Sequence, residues 1–378
     1  MPAPTVKSAS KHLGFLDEIR GTAIIVVFLY HCLAVAFGEG QLPWGSWFRS
    51  FNVTRPFLAL TPLTFGWAGV AVFFVVSGFC IHLSYRRSPV WGDFGIRRLF
   101  RIYPPYALTA VVFALLLPWK WTGWAELGAA DLASHLLLVH NFDNRFHYGC
   151  INPALWSIAV EAQLYLLYPL LMKLVSRWGW RGALILTGTL ELLLRGFSGY
   201  VLTTTGEPPP LWFAGLPFLY WFSWSIGAAL AEAYLGNRIS PLHKNTTMIL
   251  AVVAVGSCFF KPASSFSFLL FSLLTASVMT GRLLSEEKAV DRPLLRRWLA
   301  AIGQWSYSIY LLHMPLLTLA PRLASKLPMD ARAQSIVVFV IAVGLWLPIM
   351  GVSALSYRWL ELTSIDIGKR LSRKLGLI

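Results

Sequence analysis

The feature that most limits what this chain can fold into is a succession of apolar runs, most of them about 18 residues or longer, from one end to the other. A helix rises about 1.5 Å per residue, so a run of that length crosses a hydrocarbon core roughly 30 Å thick. Charged residues make up 13% of the 378 residues, about half the share usual in soluble domains. The chain also carries 17 Trp and 25 Phe. Lipid, not water, is the solvent that suits it. The pattern predicts about ten spans, over 21–38, 66–85, 104–119, 153–172, 182–202, 213–234, 247–260, 264–281, 299–320 and 335–357. The seventh is short and the turn at Lys261-Pro262 is tight, so the seventh and eighth read also as one broken hairpin. The expected fold class is an all-α polytopic membrane protein, with one membrane domain over 1–378 and no polar stretch long enough for a separate soluble domain.

The net charge of +15 raises the question of nucleic acid. A nucleic-acid surface needs a continuous basic patch or stripe. Here Lys and Arg sit in short clusters between apolar runs, which is a topology signal and excludes nucleic acid as a partner. With the N-terminus inside, the clusters Arg86-Arg87, Arg97-Arg98-x-x-Arg101, Arg296-Arg297 and Lys369-Arg370 fall on the cytoplasmic side. The outer segments keep only Arg49, Arg55, Lys120, Arg145, Lys261, Arg322, Lys326 and Arg332. An even number of spans then places both termini in the cytoplasm, as a short segment 1–20 and a tail 358–378. The expected location is the plasma membrane, the inner membrane where there are two. The first run lacks a small-residue cleavage pattern and is expected to stay as an uncleaved helix. Cys32, Cys80 and Cys258 fall inside spans and Cys150 in a loop, with no disulfide framework. The outer loops 39–65 and 120–152 are the longest, and loops of that size are more often functional than idle.

Ionisable residues inside spans are costly and therefore default to functional candidates. Arg20 and His31 share the first span, eleven residues or about 16 Å apart, which puts Arg20 at the cytoplasmic face and His31 near mid-membrane. A neutral imidazole there can serve as a general base. In the second span Ser77 lies among small residues suited to close helix packing. Arg98 and Arg101, three apart, share a helix face and can grip phosphates bidentately. Glu161, in Asn152-Pro153-Ala154-Leu155-Trp156-Ser157-x-x-x-Glu161, enters from outside to a depth of about 12 Å, close to that of His31. A carboxylate beside an imidazole would orient it. Tyr310 and His313 lie three apart on one face of a late span, where His313 can bond an acceptor hydroxyl entering from outside. Glu191 and Arg195 read as a structural i,i+4 pair, while His140, Asp143 and His147 have a chance spacing and no metal site is expected.

These pieces, in this order, resemble the acyltransferase-3 family of membrane acyltransferases. The motifs are Leu16-Asp17-x-x-Arg20-Gly21 with His31, Phe73-Phe74-x-x-Ser77-Gly78-Phe79, Arg98-x-x-Arg101-x-Tyr103-Pro104, Trp156-Ser157-x-x-x-Glu161 and Ser306-Tyr307-x-x-Tyr310-Leu311-x-His313. A closing Tyr357-x-x-x-Glu361 also fits, so the resemblance runs from Leu16 to about Glu361. Glu18 and Ile19 depart from the more apolar dipeptide common in the family. The resemblance implies transfer of an acyl group, most often acetyl, from cytoplasmic acyl-coenzyme A to a hydroxyl. The acceptor is an exopolysaccharide, an O-antigen, a lipo-oligosaccharide or a related glycan, or a small molecule such as a macrolide. It implies that Arg20 and His31 are the essential pair, that Arg98 and Arg101 lie near the coenzyme, and that no cofactor stays bound. The membrane domain would complete the reaction alone, without the extracytoplasmic esterase-like domain that some relatives carry.

The chemistry expected is direct. A thioester is already activated, whereas a sugar hydroxyl needs its proton removed, so His31 acts as base and Glu161 orients it. Ser77, Tyr310 or a backbone N–H stabilises the oxyanion, with Trp156 and Ser157 completing the acceptor side. A proton-coupled transporter or flippase, and a lipid-sensing scaffold, are the competing classes for ionisable groups at mid-depth.

Overall fold

A computed structural model describes residues 13–43, 61–116, 124–148, 151–239, 245–285 and 293–378. Cys150, Arg49, Arg55, Lys120 and most of the N-terminal segment and of loop 39–65 lie outside the described residues. Among those described, helices follow one another without a strand. They are α1 Gly14–Phe37, α2 Gly69–Arg87, α3 Trp91–Leu116, α4 Trp124–Leu136, α5 Trp156–Thr205, α6 Trp221–Leu235, α7 Thr246–Ser257, α8 Ser267–Ser285, α9 Leu294–Leu317, α10 Ala331–Gly344, α11 Trp346–Ser356 and α12 Leu362–Lys374.

Each predicted span lies on helical structure, with shifted bounds. Six helical stretches of the described residues are long and apolar enough to cross a membrane. The third span was expected from 104, but α3 begins at Trp91, so Arg97, Arg98 and Arg101 are helical. The fourth and fifth spans merge in α5, whose 50 residues are joined at Gly179, where φ is 67° and ψ is 174°. A straight helix of that length would reach about 75 Å, far beyond one hydrocarbon core. The left-handed φ, open to glycine without strain, divides it into two segments each long enough to cross.

Two pairs of glycines set the closest approaches. A Cβ on Gly303 of α9 would stand 1.8 Å from the Asp17 carbonyl oxygen of α1, and one on Gly21 would stand 2.0 Å from that of Leu299. Gly78 of α2 and Gly227 of α6 meet in the same way, at 2.0 Å from Trp224 O and 1.9 Å from Val75 O. The small residues around Ser77 therefore pack helices, as their composition suggests.

Prolines inside helices recruit partners for the carbonyls they strand. Pro104 has no N–H for the Phe100 carbonyl, and the Ser364 hydroxyl of α12 donates to it instead. Pro315 likewise frees the Leu311 carbonyl, which accepts from Asn152 Nδ2 at 2.8 Å. Buried charge is paired. Glu18 of α1 accepts from Arg282 of α8 at 2.5 Å and Arg296 of α9 at 2.9 Å. Glu191 and Arg195 form the expected pair at 2.9 Å, and Arg195 also donates to Ser265 O and Leu219 O. Between α11 and α12 a wide π turn, Tyr357–Glu361, brings Glu361 inward to accept from Ser308 at 2.5 Å.

The close α1–α9 crossing carries a prediction. Gly303→Leu forces backbones apart and should lower stability by about 1–3 kcal/mol or more, read as a lower thermal unfolding midpoint in detergent. Gly256→Ala, at a position with nothing within 4 Å, should leave the midpoint unchanged.

Candidate active site

The helices leave a cavity of about 370 Å³ between α1, α2, α3, α5 and α9. Its outer part is cationic. Arg20, Arg87, Arg98 and Arg101 line it, against the acidic side chains of Asp17 and Glu161. Arg20 lies 3.6 Å from Asp17 and donates to Cys80 Sγ at 3.4 Å. Arg98 donates to Ser84 Oγ at 2.9 Å. Among the described residues neither Arg98 nor Arg101 has a carboxylate within ion-pairing distance, whereas their neighbour Arg97 is held by Asp93 at 2.8 Å. Two guanidinium groups of α3 therefore face the cavity with their charge uncompensated by an ion pair. Such groups match an oxyanion such as phosphate.

Deeper in, Glu161 forms a polar knot. It accepts from Ser77 Oγ at 2.5 Å and from Tyr165 OH at 2.6 Å, while Trp224 Nε1 donates to Ser77 at 3.3 Å. The Ser77 proton is thereby committed to Glu161, which leaves that hydroxyl without a proton to give to an oxyanion. Phe73, Ser157 and Tyr310 also line the cavity. There the hydroxyls of Ser157 and Tyr310 lie 2.7 Å apart, and the Phe73 ring meets that of Tyr310 edge-on at 6.0 Å.

His31 is placed differently from the sequence expectation. Its partner is not Glu161 but His313, with His31 Nδ1 3.0 Å from His313 Nε2. The reason is lateral. α1 packs on α9 through Gly21 and Gly303, and His31 meets His313 of α9 rather than Glu161 of α5. Neither His31 nor His313 lines the cavity, and Tyr310 stands between, its ring 5.4 Å from that of His313. His313 spends both nitrogens within the protein, Nδ1 on the Tyr310 and Ile309 carbonyls at 2.9 and 3.1 Å and Nε2 on His31, so none is left for an acceptor hydroxyl. Trp156 also lies outside the cavity. Its ring stacks on His147 at 5.6 Å and tilts against Tyr220 at 5.8 Å.

Sequence reasoning brings Arg20, Arg98, Arg101, Ser77, Ser157, Glu161 and Tyr310 to one cavity but misses Tyr165, Cys80 and Arg87. Tyr165 had a signal, since it follows Glu161 at i+4 on one helix face. Around the outer loop, His140, Asp143 and His147 do not converge. Asp143 is forked by Arg145 at 2.7 Å, which holds its carboxyl below the usual range. His140 stacks on His135 at 3.9 Å, and burial lowers the pKa of both His140 and His147. No group of three His, Cys, Asp or Glu suited to a metal ion is present among the described residues.

Comparison with known proteins bears on what this arrangement is for. Residues 13–352 match the family model for the acyltransferase-3 family, described as an acyltransferase domain. A peptidoglycan O-acetyltransferase of Listeria monocytogenes is 26% identical over 369 residues, covering 89% of this chain and 55% of that protein. Nodulation protein 10 of Rhizobium leguminosarum bv. viciae is 26% identical, over 67% of this chain and 72% of its own. An acyltransferase of Streptomyces mycarofaciens is 27% identical, over 82% of this chain and 80% of its own. This chain thus spans about half the length of the Listeria protein and most of the other two. No solved structure matches it significantly. With the match running through nearly all of the described helices, the chain belongs to the acyltransferase-3 family.

Proposed function

We propose that this protein is a multi-pass O-acyltransferase of the plasma or inner membrane, with both termini in the cytoplasm. It moves an acyl group, most simply acetyl, from cytoplasmic acyl-coenzyme A to a hydroxyl of an extracytoplasmic or lipid-linked glycan. The observation that carries this reading is the pair of cavity-facing guanidinium groups of Arg98 and Arg101 that no carboxylate neutralises, at the mouth of a cavity whose far end is apolar and aromatic. A space of about 370 Å³ suits the pantetheine arm and a short acyl group. The nucleotide phosphates then stay at the arginine-lined mouth, on the face that the charge bias assigns to the cytoplasm. The acceptor class is supported by a relative named as a peptidoglycan O-acetyltransferase.

In the proposed reaction His31 takes the proton of the acceptor hydroxyl as its oxygen attacks the thioester carbonyl. The C–O bond forms, the C–S bond breaks, and the proton passes from His31 to the departing thiolate. Tyr310 lies between the cavity end and the histidines, so donor and base meet when its side chain swings aside. That motion breaks its one hydrogen bond with Ser157, a cost of about 1 kcal/mol. Freed from Ser157, the Tyr310 hydroxyl can donate to the oxyanion.

Purified protein in liposomes, given radiolabelled acetyl-coenzyme A, should consume the thioester and label a hydroxylated glycan acceptor. His31→Ala should cut transfer roughly 10²–10⁴-fold while folding normally. Transfer at the wild-type rate by that variant refutes the base assignment, and solute movement without thioester loss marks a transporter. Arg98→Gln and Arg101→Gln should each raise KM for the donor about tenfold or more with little change in kcat, the loss expected for one charge-assisted hydrogen bond.

A further inference from the structure

The bonding between the buried His313 ring and the partly buried His31 ring fixes which nitrogen of each carries hydrogen. His313 Nδ1 lies 2.9 Å from the Tyr310 carbonyl oxygen and 3.1 Å from that of Ile309. A carbonyl only accepts, so Nδ1 carries the hydrogen. In the neutral ring Nε2 is then a bare lone pair. His31 Nδ1 sits 3.0 Å from that lone pair and must be the donor. A neutral His31 with hydrogen on Nδ1 has its own lone pair on Nε2. The alternative, a charged His313, would place a cation on a fully buried side chain with no carboxylate bonded to either ring among the described residues. The other titratable groups whose rings lie against the pair are Tyr30 from α1 and Tyr310 from α9, both phenols.

We infer that His313 is a positioning residue, which through its backbone-anchored Nδ1 presents Nε2 to His31 and so directs the basic lone pair of His31 to its own Nε2. This rests on the proposed role of His31 as base. The arrangement does for His31 what a carboxylate does in a hydrolase triad, with a neutral acceptor in place of an anion. When His31 Nε2 gains the acceptor proton, the Nδ1–H···Nε2 bond becomes charge-assisted and holds the imidazolium in place. The carboxylate expected for this task, Glu161, is occupied with Ser77 and Tyr165. A neutral partner also avoids burying an anion beside a base that must lose its proton again within the turnover.

The distinction between a positioning and a merely structural role lies in what the replacement can accept. His313→Gln keeps an acceptor near the position of Nε2, whereas His313→Leu fills the volume with none. Activity in liposomes should fall on the order of 100-fold in kcat for the Leu variant, within the 10²–10⁴ range of a general base, with KM for acetyl-coenzyme A little changed. The Gln variant should recover to within about tenfold of wild type. Nitrogen-15 shifts of histidine-labelled protein supply a readout that needs no activity. Wild type should show both rings as Nδ1–H tautomers, and the Leu variant a mixed or Nε2–H population at His31. Full activity in the Leu variant, equal loss in Leu and Gln variants that both fold, or an Nε2–H tautomer at His31 in wild type each overturns the inference. Should His31→Ala remain active, the proposed reaction fails, while the tautomer measurement still reports on the histidine pair itself.

Discussion

A polar group carried into a bundle of apolar helices has to find its partner inside the protein, because the surrounding lipid offers none. Many Ser and Thr side chains meet that constraint on a carbonyl of their own helix, and several charged side chains meet it by crossing between helices. Glu18 ties α1 to α8 and α9, Glu191 and Arg195 tie α5 to the turns before α6 and α8, and Ser308 ties α9 to Glu361. Even the carbonyls stranded by Pro104 and Pro315 are met by donors from distant segments. Arg98 and Arg101 differ from the ion-paired arginines Arg97, Arg195, Arg282 and Arg296. Both face a cavity, both are charged, and neither has an ion-pair partner among the described residues. Guanidinium groups that face a cavity without an ion pair have the chemistry to receive an anion, which is the ground of the proposed donor site.

Helices were readable from the sequence and their neighbours were not. Hydropathy placed helices under all ten expected spans, since the run lengths answer directly to the thickness of a bilayer. Helical rise put His31 and Glu161 at similar depth. Whether they touch depends on which helices pack together, and that was decided by Gly21 against Leu299 and Gly303 against Asp17, contacts written in single glycines among many. Hence His31 meets His313 of α9, and Glu161 meets Ser77 of α2. The i,i+3 spacing of Tyr310 and His313 marked one face correctly but did not reveal that the face looks inward to another histidine. Trp156, expected at the acceptor side, stacks instead on His147. The Gly179 joint in α5 falls in the basic segment 173–181 between the fourth and fifth predicted spans, so the break there was readable, although the helix running on into both sides was not.

The division of the interior into two polar sites follows from the same packing. On one side of Tyr310 lies the cavity with its arginines and the Glu161 knot, and on the other the histidine pair. In the proposed reaction, a thioester in the cavity and a base at His31, which does not line it, would be kept apart until the site closes for chemistry. The barrier is slight, one hydroxyl–hydroxyl bond and an edge-on aromatic contact. That combination suits a site where a cytoplasmic donor and an extracytoplasmic acceptor have to meet without opening a leak between the two compartments.

The most direct measurement is the structure of the protein in a bilayer mimic with a non-hydrolysable acetyl-coenzyme A analogue bound. The phosphates are expected against Arg98 and Arg101, with the pantetheine arm passing Cys80 and Glu161 and the acyl group ending at Phe73 and Tyr310, within a side-chain rotation of His31. An analogue bound on another face, or one whose acyl group points away from Tyr310, would contradict the assignment of this cavity as the donor site.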